Sequence, residues 1–67
     1  MSKVEELKEF ILLHEELDVE QIIDYARNAL KVRRFNARLL TLKAIFDLLS
    51  EGKIQWDKAN KKVVVIS

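Results

Sequence analysis

The sequence predicts an α+β domain that is mostly helical: a three-helix bundle followed by a C-terminal β-hairpin. Two capping boxes mark helix starts, one at Ser2 and one at Asp18. A third amphipathic stretch runs to about Ser50, and after Gly52 the apolar spacing changes from three or four residues to two. Because a chain of 67 residues has room for only one small core, we expect a single domain over 1–67.

The first helix is predicted to begin at Lys3, because Ser2 is followed three residues later by Glu5. Its apolar face carries Val4, Leu7, Phe10, Ile11 and His14.

The second helix is predicted over 19–31, because Asp18 is followed by Gln21. Leu17 and Ile22 flank this box at the spacing of a hydrophobic staple. The helix carries one apolar stripe of Val19, Ile22, Ile23, Ala26, Ala29 and Leu30.

The third helix follows a predicted turn at 32–36 and has two apolar sides. Its main apolar face consists of Phe35, Leu39, Leu42, Phe46 and Leu49. The second stripe consists of Ala37, Leu40, Ala44 and Leu48. A helix that is apolar on two sides is wedged between neighbours or contacts a partner chain. Gly52 is predicted to end it in the left-handed conformation.

The C-terminal segment is predicted to form a hairpin. Ile54 and Trp56 alternate with polar residues, 58–61 is turn-like, and 62–66 is β-branched after its first lysine. A two-stranded hairpin is marginal alone, so we expect Trp56 and the valines to pack it against the helices.

Three segments resemble a winged helix-turn-helix domain. Segment 18–26 looks like its second helix, with the small Ala26 where two helices approach. Segment 30–32 looks like its turn, with Val32 as the buried residue, and 48–56 looks like the exit of the recognition helix into the first wing strand. The resemblance covers nearly the whole chain and implies binding of double-stranded DNA by the third helix and the wing.

The charge is divided between the two halves of the chain. Residues 1–26 hold eight acidic side chains against two lysines, a net of −6, whereas 27–67 hold ten basic side chains against three acids, a net of +7. The total of +1 therefore hides a strong dipole. Such a domain can hold a polyanion on its basic side or stack head to tail on copies of itself.

The resemblance implies two groups of DNA-binding residues. The start of the third helix would enter the major groove, where arginine can read guanine and asparagine can read adenine; its residues are Arg33, Arg34, Asn36, Arg38 and Thr41. The wing would contact phosphates through Lys58, Lys61 and Lys62. The alternatives are a solvated basic helix end and lysines that protect a strand edge. The helical spacing also separates Arg34, Arg38 and Thr41 from Asn36 and Lys43, so one groove cannot accept them all.

The remaining candidates favour structural roles. His14 is the only histidine and there is no cysteine, so we expect no metal site and no cofactor; His14 is interpreted as packed or as a cation at the end of the first helix. Trp56 and Tyr25 could stack on bases, although Trp56 is interpreted as a cap on the core. The acidic face is interpreted as solvated, and no enzymatic motif or small-molecule site is predicted. No membrane span or signal peptide is seen, so a cytoplasmic location is expected, and the composition leans towards a heat-adapted source.

The leading hypothesis is therefore a small winged-helix DNA-binding protein, acting as a transcriptional regulator or an architectural factor. The alternative is a winged-helix protein-interaction module that uses the stripe of Ala37, Leu40, Ala44 and Leu48. Burial of that stripe, together with one continuous basic face, would favour DNA, whereas its exposure would favour the interaction module. We also expect a homodimer. Leu12 and Leu13 of the first helix are the favoured seam, and the alternatives are the second stripe of the third helix and head-to-tail contact between the acidic and basic halves.

Overall fold

The computed structural model describes residues 2–66 and contains three helices and three strands. They are α1 (Lys3–Leu12), β1 (Glu16–Asp18), α2 (Val19–Asn28), α3 (Arg34–Ser50), β2 (Ile54–Asp57) and β3 (Lys62–Val65). The strands form one antiparallel sheet in the order β1-β3-β2. The predicted α+β, mostly helical fold class is confirmed, and the arrangement is consistent with a winged-helix-like one.

The first two helices begin where the capping boxes predict. The Oγ of Ser2 accepts the backbone N–H of Glu5 at 3.1 Å, and the backbone N–H of Asp18 donates to Oε1 of Gln21 at 2.9 Å. The two residues of the predicted staple, Leu17 and Ile22, are both buried.

The second helix ends at Asn28, three residues earlier than predicted. Lys31 has a left-handed backbone with a φ of 60°, which an α-helix cannot contain. The backbone N–H of Val32 then reaches back to the carbonyl of Ala26 at 3.3 Å and closes the turn.

The third helix begins at Arg34, inside the predicted turn, and ends at Ser50 as predicted. Its C-terminus is a Schellman motif: Lys53 N–H donates to the Leu48 carbonyl at 2.9 Å and Gly52 N–H to the Leu49 carbonyl at 3.1 Å. The φ of Gly52 is 72°, so its predicted left-handed role is confirmed.

Strand β1 was not predicted. Its Leu17 lies opposite Val63 of β3, and the carbonyl of Glu15 accepts the N–H of Val65 at 2.8 Å. The last strand therefore becomes the central strand of the sheet, with β2 on one edge and β1 on the other. This pairing satisfies backbone groups that the predicted two-stranded hairpin would leave open.

The second stripe of α3, and not its main apolar face, enters the core. Ala37, Ala44 and Leu48 have no solvent exposure and Leu40 is half-buried. The five large residues of the main apolar face point outward. Ala37 and Ala44 permit a close approach of α3 to its neighbours, because their side chains are small.

In the hairpin, Ile54 and Val63 enter the core, whereas Trp56 is 44% exposed. The interpretation of Trp56 as a cap that closes the core therefore holds only in part.

An ion-pair cluster joins α1 to the end of α3. The Nζ of Lys8 lies 3.0 Å from Oε2 of Glu51 and 3.2 Å from Oε2 of Glu5, and 3.9 Å from Oδ2 of Asp47. The hydrogen bond to Glu51 is the main reason that the pKa of Lys8 is raised and the pKa of Glu51 is lowered. This cluster fixes α3 against a helix from the acidic half of the chain.

Candidate interaction surface on the third helix

Five large apolar side chains form one exposed row along α3, which we call the apolar stripe. Their exposure ranges from 38% for Leu49 to 71% for Phe35. The members are Phe35, Leu39, Leu42, Phe46 and Leu49. Their separations are four, three, four and three residues, which is the spacing of the seam between two helices of a coiled coil.

The apolar stripe is large for a chain of this size. From the exposed fractions and typical side-chain areas, it presents on the order of 500 Å² of apolar surface. Patches of that size on monomeric proteins are commonly functional. The stripe lies across α3 from the buried Ala37, Ala44 and Leu48, so the monomer leaves it in solvent.

Polar side chains border the stripe on both sides. Arg34 and Arg38 lie along one flank of α3, and Asn36 and Lys43 lie along the other. The Nζ of Lys43 lies 3.1 Å from Oδ1 of Asp47 one turn later. An apolar row with a polar border on each side is the usual anatomy of a protein interface.

An apolar cleft of about 220 Å³ lies between α2 and α3 beside the stripe. Leu42 of the stripe forms part of the wall of this cleft. The rest of the wall consists of the buried or half-buried Val19, Ile23 and Thr41 and of the charged Glu20 and Arg38. The apolar surface therefore extends from the middle of the stripe towards α2.

Four of the residues predicted to bind DNA at the start of α3 are exposed: Arg33, Arg34, Asn36 and Arg38. Arg33 is the N-cap, and the first turn of α3 contains no acidic residue. No salt bridge within residues 2–66 involves any of the three arginines. Positive charges at the N-terminus of a helix oppose its dipole, so this end of α3 favours an anion.

Thr41 does not belong to that group. It is 1% exposed, and its hydroxyl has no hydrogen-bond partner within the described part of the chain. It lies on the same side of α3 as Ala37, Ala44 and Leu48, because it is spaced by three, four or seven residues from each. A nucleic acid on the surface cannot reach it in this conformation.

The predicted lysines of the hairpin divide into two kinds. Lys58 and Lys61 are exposed in the turn, whereas Lys62 lies in β3 with its Nζ 3.2 Å from Oε1 of Glu16. Lys62 therefore ties β3 to β1, and only the first two lysines remain as a basic tip.

Asp57 shapes this hairpin turn. Its Oδ1 accepts the N–H groups of Ala59 and Asn60 at 3.1 Å and 3.2 Å, and its Oδ2 accepts Nδ2 of Asn60 at 2.9 Å. These bonds, with the side chain of Asn60 first, lower the pKa of Asp57. The spacing Asp57-x-x-Asn60 is a turn signal that could have been read from the sequence.

The aromatic side chains near α1 contact one another. Phe10 stacks on Tyr25 with ring centroids 3.8 Å apart, and the ring centroid of His14 lies 4.6 Å from that of Phe10. His14 Nδ1 donates to the Phe10 carbonyl at 2.8 Å, so the histidine packs against the last turn of α1. Tyr25 therefore already has an intramolecular stacking partner.

Residues 2–66 contain no group of histidine and carboxylate side chains suited to hold a metal ion. Within the same range, none of the helices combines the length and apolar character that crossing a bilayer requires. Comparison of the chain with protein families, with curated proteins and with solved structures found no match.

Proposed function

We propose that this protein is a protein-interaction module whose apolar stripe docks an α-helix of a partner protein. The observation that carries the proposal is the exposure of Phe35, Leu39, Leu42, Phe46 and Leu49 in one row with alternating separations of four and three residues. A helix with the same apolar spacing can place its side chains between those of the stripe.

The two phenylalanines of the stripe contribute little to holding the monomer together. Phe35 and Phe46 are 71% and 65% exposed, so their side chains contribute little burial to the fold. An exposed phenylalanine also favours non-specific association. Two exposed phenylalanines in one row with three leucines indicate a surface that a binding partner covers.

The same stripe argues against α3 as a reader of bases. Base edges in the major groove offer hydrogen-bond donors and acceptors, and the thymine methyl is their main apolar feature. The outward centre of α3 offers only phenylalanine and leucine, while Arg34 and Arg38 lie on one flank and Asn36 on the other. The stripe of Ala37, Leu40, Ala44 and Leu48 faces the core, which is one of the two observations expected together to favour DNA. The main apolar face of α3 is exposed, however, and it occupies the outward side of the helix.

Binding of double-stranded DNA remains a second candidate, supported by the arginines at the start of α3 and by the basic tip of Lys58 and Lys61. About five phosphate contacts would make log K fall against log salt with a slope of roughly −4 to −5. The exchange of Arg34 and Arg38 for alanine should then weaken a gel shift on mixed-sequence duplex more than the exchange of Lys58 and Lys61. A slope near zero would remove this candidate.

The docking proposal can be tested without knowledge of the natural partner. A displayed library of random amphipathic helical peptides is selected against the native protein, at a protein concentration low enough to limit self-association. We expect the enriched peptides to carry apolar residues with the spacing of the stripe. We expect them to lose binding to the variant Leu42→Lys, because an ammonium in the middle of the stripe must be desolvated.

A double variant with Arg34 and Arg38 exchanged for alanine is the matched control, since it leaves all five apolar side chains in place. The Kd of the selected peptides for this control should lie within a few-fold of their Kd for the native protein. Selected peptides that ignore Leu42→Lys, or a selection that enriches none, would overturn the proposal. Circular dichroism of Leu42→Lys checks that the helix content is unchanged.

A further inference from the structure

We infer that the partner helix is α3 of a second copy of this chain, and that the two copies pair antiparallel about a two-fold axis at Leu42. This inference rests on the proposed function, because it names the occupant of the same apolar stripe. It also moves the expected homodimer seam from α1 to α3.

The order of side-chain sizes along the stripe fits antiparallel pairing. An axis at Leu42 places Phe35 level with Leu49 of the partner subunit. It places Leu39 within one residue of the level of Phe46 of the partner subunit, which is the nearest stripe side chain there. Every phenylalanine then meets a leucine, and the layers have similar volumes. Parallel pairing would instead place each phenylalanine against its own copy, which alternates overfilled and underfilled layers.

The flanking charges also favour the antiparallel arrangement. In a parallel pair Arg38 of each copy would face Lys43 of the partner subunit, and both contacts would be repulsive. In the antiparallel pair Arg38 lies beside Ile45 of the partner subunit, against which its aliphatic stem can pack. The two Lys43 side chains then meet near the axis, but each has its own Asp47 carboxylate at 3.1 Å. In the antiparallel pair the two helix dipoles also point in opposite directions, so the N-terminus of each helix lies beside the C-terminus of the other, which is favourable.

The area available is close to what a specific dimer needs. Two stripes of about 500 Å² bury about 1,000 Å², and stable interfaces begin near roughly 1,200 Å². The stems of Arg38 and Lys43 and the cleft beside Leu42 supply the remainder at the border. A two-fold interface uses the stripe of both copies at once, so neither stripe is left without a partner.

The seam expected on α1 offers less. Leu12 and Leu13 are 37% and 83% exposed, but they are adjacent residues at the end of a helix and form no row. Glu15 and Glu16 follow in the same depression, and a two-fold pairing there would bring acidic side chains together.

The absence of cysteine from the chain makes a direct test possible. Single-cysteine variants are made at Leu42, Phe35 and Leu49, all exposed, and each is oxidised mildly at micromolar concentration. We expect Leu42→Cys alone to form a covalent dimer, because the axis brings the two positions together. Phe35→Cys alone should not, whereas a mixture of Phe35→Cys and Leu49→Cys should form a mixed dimer. A cysteine at Lys58 is the control for random collision.

Sedimentation gives the second readout. The native chain should sediment as a dimer with twice the chain mass of 7.9 kDa, in low and in high salt. The variant Leu42→Lys should sediment as a monomer. A covalent dimer of Phe35→Cys alone would overturn the antiparallel arrangement. A native dimer that survives Leu42→Lys but not Leu13→Lys would return the seam to α1. A native monomer without crosslinks would overturn self-pairing, while peptides sensitive to Leu42→Lys would still support docking of another protein.

Discussion

The exposure of the apolar stripe in the monomer can be tested by removing the same side-chain atoms from the buried and from the exposed side of α3. Leu48 has no solvent exposure and Leu39 is 50% exposed, and both lie within one helix. The exchange of each for alanine deletes the same three carbon atoms. We therefore compare Leu48→Ala with Leu39→Ala, each variant serving as the control of the other.

The expected difference is large. A fully buried leucine exchanged for alanine costs about 3–5 kcal/mol, because a cavity is added to the lost transfer free energy. A half-exposed leucine loses at most about 1 kcal/mol, and the better helix propensity of alanine offsets part of that. A domain of this size has a free energy of unfolding of roughly 3–10 kcal/mol. Leu48→Ala therefore removes a third of that stability or more, which corresponds to a fall in Tm of at least about 12 °C.

Urea unfolding followed by the circular dichroism of the helices measures both variants, at the lowest usable protein concentration and at a tenfold higher one. The effect of Leu48→Ala should be the same at both. The effect of Leu39→Ala should be small in the dilute sample and should grow with concentration, because only the dimer buries that side chain. Equal losses for both variants in the dilute sample would mean that the apolar stripe is part of the core, and the reasoning from its exposure would fail.

Three further predictions concern the backbone turns. Lys31→Gly should raise the free energy of unfolding by about 0.5–1 kcal/mol, because the φ of 60° costs a side chain more than glycine; a loss in urea unfolding would contradict this. Gly52→Ala should lower it by about 1 kcal/mol through its φ of 72° alone, because a Cβ there meets no atom within 4 Å; an unchanged urea midpoint would contradict it. The pKa of Asp57 lies below its ordinary 3.8 in the folded state, so its contribution to stability is present above that value and is lost as the pH falls through the folded pKa. Asp57→Asn should therefore flatten the acid side of the stability profile, and an unchanged profile would exclude this role for the carboxylate.

The helices and their caps could be predicted from the sequence because their signals are local. Ser2, Asp18 and Gly52 act through bonds to residues within a few positions, so the sequence contains both partners. The end of α2 was missed because Lys31 takes a left-handed backbone, whereas glycine is the usual sequence signal for that conformation.

The orientation of α3 could not be predicted because both of its sides are apolar. The helical spacing gives a main apolar face and a second stripe, but it does not say which of them is buried. The distance between helices decides which face fits the core, and that distance is a property of the whole bundle. Ala37 and Ala44 allow α3 to lie close to its neighbours. Strand β1 was missed for a related reason: three residues with one apolar side chain form a strand only when β3 presents a free edge.

The position of β3 has a consequence for how the chain folds during its synthesis. The centre of the sheet comes from residues 62–65, which the ribosome adds after the other five elements of residues 2–66. Until then Leu17 and Ile54, which lie beside β3 in the finished sheet, have no strand to pair with. The helices can form early from local contacts. Strand β1 remains unpaired until β3, which lies more than forty residues later in the chain, has been synthesised. Docking of β3 is therefore the step that completes the sheet and fixes β1 and β2 on its two edges.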